Sequence, residues 1–393
     1  MEAGRKTDSN VRLISWLQVL LIYGSSRLLI FWIGTFATQN IPSISQAARI
    51  PYPTTYHFYD NMWKVAFRPE RDRTSVFEMW SHWDGEWFID IAEHGYSAKP
   101  LHKQHQNVAM FPLYPLGIRA GNFFYTNSVF WGYLISCLSG AILMLLIYEW
   151  AAQETDKATA IRTVTYFCCF PTSFYLSAVY SESLFLLCTV ASFYSARNGR
   201  WGLAGLFGGF SSLARVTGVF LIVPLGILFW RQYKGHWKEG LYLLQIPLGF
   251  SFILISFWNL SGDPLIFLHT QASWERSSSF PWTPLWNFLQ EPQIYHFMNS
   301  SHDFILTIFT LLLIPSIFKR WPELGIYCLY LVILPLSTGV LMSMSRYLLS
   351  CFPLFIILGI WGQSLLWDHL ILMSFLIGLS WFSGIFACGY WVG

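Results

Sequence analysis

The chain has 393 residues, of which 54% are hydrophobic and only 11% are charged, against roughly 25% charged in ordinary soluble domains. Its formal net charge of +3 is small and scattered, which excludes a basic surface for nucleic acid. Apolar runs of about 17 to 25 residues recur along most of the chain, and each can cross a hydrocarbon core of about 30 Å. The composition therefore predicts an integral membrane protein that crosses the bilayer many times.

The predicted spans are helical, so the expected fold class is an all-α polytopic membrane protein. They number about eleven and lie near 14–36, 127–149, 160–178, 181–196, 201–214, 216–230, 240–260, 303–319, 322–342, 346–364 and 369–391. The pair within 201–230 has an alternative, one helix kinked around the motif ARVTG. The first apolar run continues past Arg27 to Phe36 with no small-residue cleavage site, which predicts a retained first span.

The short connections between spans divide by charge. Their basic residues fall on one side, which the positive-inside rule makes cytoplasmic. These residues are Arg5, Lys6, Arg12, Lys157, Arg162, Arg197, Arg200, Arg231, Lys234, Lys238, Lys319 and Arg320. Two long loops, 37–125 and 262–302, then face outward, and the first holds eight of the 21 carboxylates. We predict one membrane domain, 1–393, with its functional end on the outer side.

The first outward loop contains an acidic, aromatic segment, WSHWDGEWFIDIAEHGY at 80–96. In a helix with about 100° per residue, Glu86, Asp90 and Glu93 share one face. We expect that face to be solvated. Asp84 projects instead into the opposite stripe of aromatic and aliphatic side chains, so it is the acid set apart from the others.

Asp84 has two interpretations. Burial among aromatic side chains disfavours the charged carboxylate and raises its pKa, which suits a general base. Alternatively, Ser81 caps a helix and Asp84 only interacts favourably with the dipole of its first turn. The residue pattern leaves both open.

Five motifs, in order along most of the chain, resemble the PIG-V family of mannosyltransferases. They are WDGEWFIDIAEHGY at 83–96, MFPLYP at 110–115, PTSFYLSAVYSESLF at 171–185, ARVTG at 214–218 and SRYLLSCFPLF at 345–355. Eukaryotic members of this family, of the GPI mannosyltransferase 2 type, add the second mannose to glycosylphosphatidylinositol, and the family has bacterial relatives.

The resemblance implies a GT-C architecture, in which a helical bundle carries an acidic motif on its first outward loop. It also implies transfer of a sugar from a polyprenyl-phosphate donor, typically with inversion at the anomeric carbon. The motif aspartate then corresponds to Asp84, which we predict to be the catalytic base.

Inverting transfer also needs a group that stabilises the departing phosphate, and phosphate oxygens are best held by arginine or lysine. Arg346 and Arg215 lie at predicted outer ends of spans, where ionisable groups are costly unless they serve a site. Arg276, in the second outward loop, is a further candidate. The alternative for each span-end arginine is that it reaches the lipid headgroups.

Three residues are candidates for contacting the acceptor or the sugar. Glu182, near the outer end of the fourth predicted span, either hydrogen-bonds an acceptor sugar or interacts with the dipole of its own helix. Trp83 and Trp87 are able to stack on a sugar ring. We expect Tyr180, close to Glu182, to be a packing or interfacial residue.

The sequence predicts no cofactor and no metal ion. His82, His94, His102 and His105 cluster in the first loop, but without H-E-x-x-H or a comparable pattern they are expected to be solvated or hydrogen-bonded. No nucleotide-binding glycine motif is present. The seven cysteines lie in apolar segments without a C-x-x-C pair, so we expect core residues.

The predicted function is therefore a membrane glycosyltransferase that moves a sugar, mannose by the resemblance, to a lipid or glycan acceptor at the outer face. Its expected partners are the polyprenyl-phosphate-linked sugar, the acceptor and membrane lipid. The alternative is a transporter or flippase of lipid-linked sugars, for which Arg27 is the clear mid-span charge. The chain is short for a eukaryotic member, which favours a bacterial cell membrane over the endoplasmic reticulum.

Overall fold

The computed structural model describes residues 2–43, 76–97, 107–232, 237–293 and 298–392, which are largely helical with no β-strand among them. The α-helices in these ranges are α1 (Glu2–Asn40), α2 (Asp84–His94), α3 (Leu113–Asn122), α4 (Ser128–Glu154), α5 (Lys157–Cys169), α6 (Glu182–Arg197), α7 (Trp201–Ala214), α8 (Ile222–Gln232), α9 (Trp237–Gly240), α10 (Gln245–Ser261), α11 (Ile266–His269), α12 (Thr283–Gln290), α13 (Ser301–Arg320), α14 (Pro322–Leu336), α15 (Met344–Leu349), α16 (Phe352–Trp361) and α17 (Leu365–Ala387). Short 3-10 turns lie at Glu78–Trp80, Asn107–Ala109, Ser173–Leu176, Val216–Leu221, Leu241–Leu244 and Thr270–Trp274. The predicted all-α fold class is confirmed.

Within the described residues, five helical segments are long and apolar enough to cross a membrane. They are Arg12–Asn40 of α1, α4, Trp237–Ser261 (α9 and α10), α13 and α17. Shorter apolar helices lie at Val216–Gln232, α14 and α16. The chain is thus a multi-pass membrane protein, and the crossing of the shorter spans stays a prediction. The two long outward loops are described only in part, so the single-domain organisation stays a prediction as well.

Two predicted spans contain a break, and one predicted pair of spans is divided as expected. Helix α5 ends before Phe170, whose ψ of 140° is the extended value that a residue preceding a proline, here Pro171, prefers. The predicted span 346–364 is divided into α15 and α16. The pair within 201–230 is two helical segments rather than one kinked helix, because Arg215 between them is fully extended (φ −154°, ψ 148°).

Polar contacts join several helices at one end of the bundle. Arg12 Nη2 of α1 lies 2.8 Å from Glu149 Oε2 of α4. Glu154, at the end of α4, is ion-paired with Arg197 at the end of α6, and its Oε2 accepts a hydrogen bond from Trp321 Nε1 at 2.8 Å. These arginines, which the sequence pattern assigns to the cytoplasmic side, therefore share one end. The first residues of α4 and α6 lie at the other end.

The core of the bundle is closely packed around α16. Its residues 352–359 are all buried, and the rings of Phe355 and Phe167 are 4.2 Å apart. Helices α16 and α5 approach so closely that a Cβ at Gly359 would lie 2.5 Å from Thr163 Oγ1, which leaves room only for glycine. The seven cysteines are free and five are buried, so their expected role as core residues is confirmed.

Candidate active site

The acidic segment does not form a helix from Trp80, as the periodicity predicts. Helix α2 begins at Asp84, and a short 3-10 turn ends at Trp80. The Ser81 hydroxyl donates to Glu78 O at 2.9 Å, and α2 has no side-chain cap, so the alternative in which Ser81 caps this helix is wrong. Asp84 is nevertheless in the first turn of α2, where a negative charge is favourable.

The backbone immediately before Asp84 has an unusual conformation. Trp83 has φ 61° and ψ −117°, which is rare for a residue with a side chain. Two contacts hold it: the ring packs against Trp391 with centroids 5.2 Å apart, and the Tyr180 hydroxyl bridges the neighbouring peptides. That hydroxyl donates to His82 O at 3.0 Å and accepts from Asp84 N at 3.2 Å. Tyr180 thereby determines where α2 begins and where Asp84 is positioned.

Asp84 belongs to a chain of alternating charges. Its Oδ2 lies 2.6 Å from Arg346 Nη1, and Arg346 Nε lies 3.3 Å from Glu182 Oε1. The same Glu182 oxygen lies 2.5 Å from Arg215 Nη1. Arg346 and Glu182 are only 5% and 1% exposed, so little water screens these pairs. Asp84 is therefore set among charges as well as among aromatic side chains.

Four separate chain segments supply these groups. Asp84 is the first residue of α2 and Glu182 the first residue of α6, so both carboxylates occupy helix N-termini. Arg215 is the extended residue after α7, and Arg346 lies on the short helix α15. The extended backbone between α7 and the next 3-10 turn places Arg215 at the carboxylates, and the short helix α15 places Arg346 there.

Tyrosine rings lie beside the arginines. The Arg346 guanidinium lies 5.6 Å, 5.5 Å and 5.7 Å from the ring centroids of Tyr175, Tyr180 and Tyr347. Arg215 lies 5.4 Å from the Tyr347 ring as well. Such cation–π contacts are worth up to about 2 kcal/mol when desolvated, so they help to keep both cations in the site.

Arg276 joins the same group from the second outward loop. Its Nη2 donates to the Tyr347 hydroxyl at 3.3 Å, and its Nη1 donates to Gln271 Oε1 at 3.0 Å. Three guanidinium groups and two carboxylates thus meet in one place. The formal charges of these five groups sum to +1.

All five charged residues line one cavity of about 500 Å³. The remainder of its wall is mostly apolar and comes from the 3-10 turn after Arg215, from α10 to α11 and from the end of α14. Apolar lining residues include Phe220, Phe250, Leu268, Leu334 and Met342. A cavity with a charged end and an apolar wall fits a ligand that combines an anionic group with a hydrocarbon chain.

The structure brings together Asp84, Glu182, Arg215, Arg276 and Arg346, although their chemical roles stay predictions. Trp83 and Trp87 are not among the cavity-lining residues. The Trp83 side chain is buried against Trp391, and Trp87 is half-buried on α2. Sugar stacking by these two tryptophans stays a prediction.

The opposite face of α2 has structural contacts. Asp90 Oδ2 accepts from Asn107 Nδ2 at 2.9 Å, and Asp90 Oδ1 lies 3.3 Å from His94 Nδ1. The Tyr96 hydroxyl donates to Met110 O at 2.8 Å, and burial raises the pKa of Tyr96, so it remains a donor. Asp90 therefore connects α2 to the 3-10 turn at Asn107–Ala109, so the expectation that Asp90 is solvated is wrong. Glu93 is exposed, as expected.

Sequence reasoning missed the tyrosines of the site. The residue pattern does not single out Tyr175 or Tyr347, and it predicts a packing or interfacial role for Tyr180. A usable signal lay in the motif at 171–185, where two tyrosines lie in a mostly apolar stretch just before Glu182. A buried tyrosine needs a partner for its hydroxyl, so such residues often organise backbone groups nearby.

Arg27, the mid-span charge, has a structural role. It is buried, and its Nη1 donates to Ser173 O at 2.5 Å while its Nη2 donates to Cys168 O at 3.0 Å. Cys168 O lies in the last turn of α5 and Ser173 O begins the 3-10 turn that follows Pro171, so the guanidinium bridges the two sides of a helix break. Arg27, the charge on which the transporter alternative depends, is thus hydrogen-bonded to backbone carbonyl groups.

The described residues contain no group of three or more His, Cys, Asp or Glu side chains placed to hold a metal ion. His82 Nε2 contacts Ala387 O at 3.2 Å, and His94 pairs with Asp90. His102 and His105 lie outside the described residues, so the absence of a metal stays a prediction.

The fold and the site of the described residues define a multi-pass, helical membrane protein in which buried and half-buried carboxylates and guanidinium groups meet in one cavity. The chain belongs to the mannosyltransferase (PIG-V) family, whose family model matches residues 46–315. The matched residues contain the first four of the five motifs, whereas SRYLLSCFPLF at 345–355 lies beyond them. The predicted family is therefore confirmed, and so is the predicted enzyme class at the level of the family, a glycosyltransferase.

Two curated relatives show the extent of the similarity. The chain is 27% identical over 259 residues to GPI alpha-1,6-mannosyltransferase 2 of Homo sapiens, which covers 56% of this chain and 50% of the relative. It is 31% identical over 166 residues to the enzyme of the same name from Mus musculus, with coverages of 39% and 32%. The chain thus spans half or less of the length of these relatives.

Two solved structures match this chain at low sequence identity. ArnT from Cupriavidus metallidurans bound to undecaprenyl phosphate gives a TM-score of 0.49 at 12% identity, over 77% of this chain and 70% of that one. The Archaeoglobus fulgidus oligosaccharyltransferase in its apo form gives 0.45 at 11% identity, over 94% and 56%.

Proposed function

We propose that this protein transfers mannose from a polyprenyl-phosphate donor to a hydroxyl group of a lipid or glycan acceptor, with inversion at the anomeric carbon. The observation that carries the proposal is the cavity in which Asp84 and Arg346 form an ion pair at the charged end of an otherwise apolar wall. Membership of a mannosyltransferase family supports mannose as the sugar.

The donor fits the cavity by its two chemical parts. Its phosphate would lie against the guanidinium groups of Arg346, Arg215 and Arg276, because arginine matches phosphate oxygens through paired N–H donors. The hydrocarbon chain would lie along the apolar wall, where burial contributes about 25 cal/mol per Å². The excess of one guanidinium over the carboxylates favours an anionic headgroup.

The reaction would proceed by direct displacement. The acceptor oxygen forms a bond to the anomeric carbon while the bond from that carbon to the phosphate oxygen breaks, and the electron pair leaves with the phosphate. Asp84 accepts the proton of the acceptor hydroxyl, a role typically worth 10² to 10⁴ in rate. Arg346 stabilises the charge that develops on the departing phosphate.

The ion pair has a consequence for the order of events. Arg346 lies between the two carboxylates and interacts with both Asp84 and Glu182. A donor phosphate would compete for the same guanidinium, and the Asp84 oxygen that contacts Arg346 would then be free to contact the acceptor hydroxyl. We therefore propose that the donor binds before the acceptor.

Glu182 is the proposed acceptor contact. One of its oxygens pairs with Arg215, and the other has no hydrogen-bond partner among the described residues. A carboxylate oxygen of this kind accepts hydrogen bonds from sugar hydroxyls.

The site would lie on the side of the membrane opposite the basic connections. With those connections on the cytoplasmic side, this end of the bundle faces the lumen in an endoplasmic-reticulum membrane and the outside in a bacterial cell membrane.

Incubation of the purified protein with polyprenyl-phosphate mannose and a panel of glycolipid and glycan acceptors tests the proposal, with products read by mass spectrometry. We expect a mannosylated product from the wild type and a loss of about 10²-fold or more for Asp84→Asn. Asp90→Asn, on the other face of α2, is the matched control and should stay active. Absence of transfer by the wild type, or full activity of Asp84→Asn, would contradict the proposal.

A further inference from the structure

Asp303 is a buried carboxylate that the proposed reaction does not use. It lies in the first turn of α13 and is 2% exposed. Its Oδ2 accepts from the Ser300 hydroxyl at 2.8 Å, and the ring of His302 lies 3.7 Å away. It is not among the residues that line the cavity. Burial of a carboxylate is costly, so its contacts need an explanation.

The second oxygen of Asp303 reaches a different helix. Its Oδ1 accepts from Ser345 N at 2.7 Å, the backbone amide that immediately precedes Arg346. On the other side of the same residue, Ser345 O accepts from the Thr172 hydroxyl at 3.0 Å. The backbone that carries Arg346 is thus held from two directions by side chains distant in sequence.

Helix α15 needs external support. It has six residues, and so short a helix does not hold its own conformation. The chain before it contains Gly339 and Ser343 with φ of 82° and 69°, and for serine this left-handed conformation is unfavourable. Besides the bond to Asp303, Leu341 N donates to Met298 O at 3.0 Å. Residues 298–303 therefore act as a template for the segment that ends at Arg346.

We propose that Asp303 is a positioning residue, which fixes the backbone of Ser345 and so aims Arg346 at Asp84 and at the donor phosphate. This inference rests on the proposed function, because it assigns a purpose to the orientation of Arg346. The contact that matters is the hydrogen bond from Ser345 N. The charge of Asp303 is not required.

In the full-length protein, the variants Asp303→Ala and Asp303→Asn separate the effect of the hydrogen bond from the effect of the charge. Alanine removes the acceptor for Ser345 N. Asparagine keeps it on Oδ1, and its amide group can donate to the Ser300 hydroxyl. We expect Asp303→Ala to raise KM for polyprenyl-phosphate mannose about tenfold, with KM for the acceptor unchanged, and Asp303→Asn to stay within about twofold of the wild type. Thr310→Val, a buried position further along α13, is the control.

A second variant covers the case in which Asp303→Ala does not fold. Thr172→Val removes the other hydrogen bond to Ser345 without touching a charge, and we expect it to raise the donor KM in the same direction. Binding of unmodified polyprenyl phosphate, followed by tryptophan fluorescence, should weaken in parallel. An unchanged donor KM in both Asp303→Ala and Thr172→Val overturns the inference. An equal rise of the donor KM in Asp303→Asn and Asp303→Ala overturns it as well. A wild type that neither binds nor transfers overturns the proposed function itself.

Discussion

Tyr180→Phe removes one oxygen atom and tests how Asp84 is placed. The hydroxyl accepts from Asp84 N at 3.2 Å and donates to His82 O at 3.0 Å. His82 O keeps a second partner, Gly85 N at 3.2 Å, so the group left unpaired is the Asp84 amide. A buried amide without a partner costs roughly 1 to 3 kcal/mol. The first turn of α2 should relax toward a different position, and Asp84 should move with it.

The effect on activity follows from that movement. A displacement of about 1 Å at a catalytic group can lower the rate as much as 10²-fold. We therefore expect kcat/KM of Tyr180→Phe to fall between about 10-fold and 10²-fold, chiefly through kcat. The ring that contacts Arg346 is retained, so donor KM should change little. The assay is initial-rate transfer from polyprenyl-phosphate mannose, with thermal unfolding measured in the same detergent.

Tyr23→Phe is the matched control, because it also removes a buried hydroxyl. Tyr23 is 5% exposed, its hydroxyl donates to Cys137 O at 3.0 Å, and it does not line the cavity. Both variants should lose stability to a similar extent, but only Tyr180→Phe should lose activity when compared well below the unfolding temperature. Equal activity of the two variants would refute a role for Tyr180 in placing Asp84.

Two further substitutions test the charged groups. Arg346→Lys keeps the charge but loses the planar guanidinium group that contacts both Asp84 and Glu182, so we expect the donor KM to rise about tenfold. The control is Arg231→Lys, which changes an ion pair elsewhere in the chain and should leave the kinetics unchanged. An unaltered donor KM for Arg346→Lys would argue against phosphate binding by Arg346. Arg27→Met removes the donor to Ser173 O and should lower the free energy of unfolding by about 1 to 3 kcal/mol. Thermal unfolding measures this loss, and an unchanged unfolding temperature would contradict the structural role of Arg27.

Much of the architecture could be predicted because it depends on local pattern. The length of the apolar runs identifies the helices, and the basic residues between them agree with the shared end at which Arg12 and Arg197 form their ion pairs. Proline and its neighbour decide where α5 ends, although the length of the apolar run predicts a span that continues to 178. The prediction for the start of α2 failed, because Tyr180 and Trp391 determine it from distant parts of the chain.

The sequence by itself determined that this is an all-helical membrane protein and singled out Asp84, because hydrophobic length and helical period are local properties. Only the tertiary structure decided which groups act on Asp84. Arg346 lies 262 residues further along the chain, and the link from Asp303 to Ser345 spans 42 residues. Such contacts follow from helix packing and from breaks within helices. The spacing of residues along one segment carries no record of them.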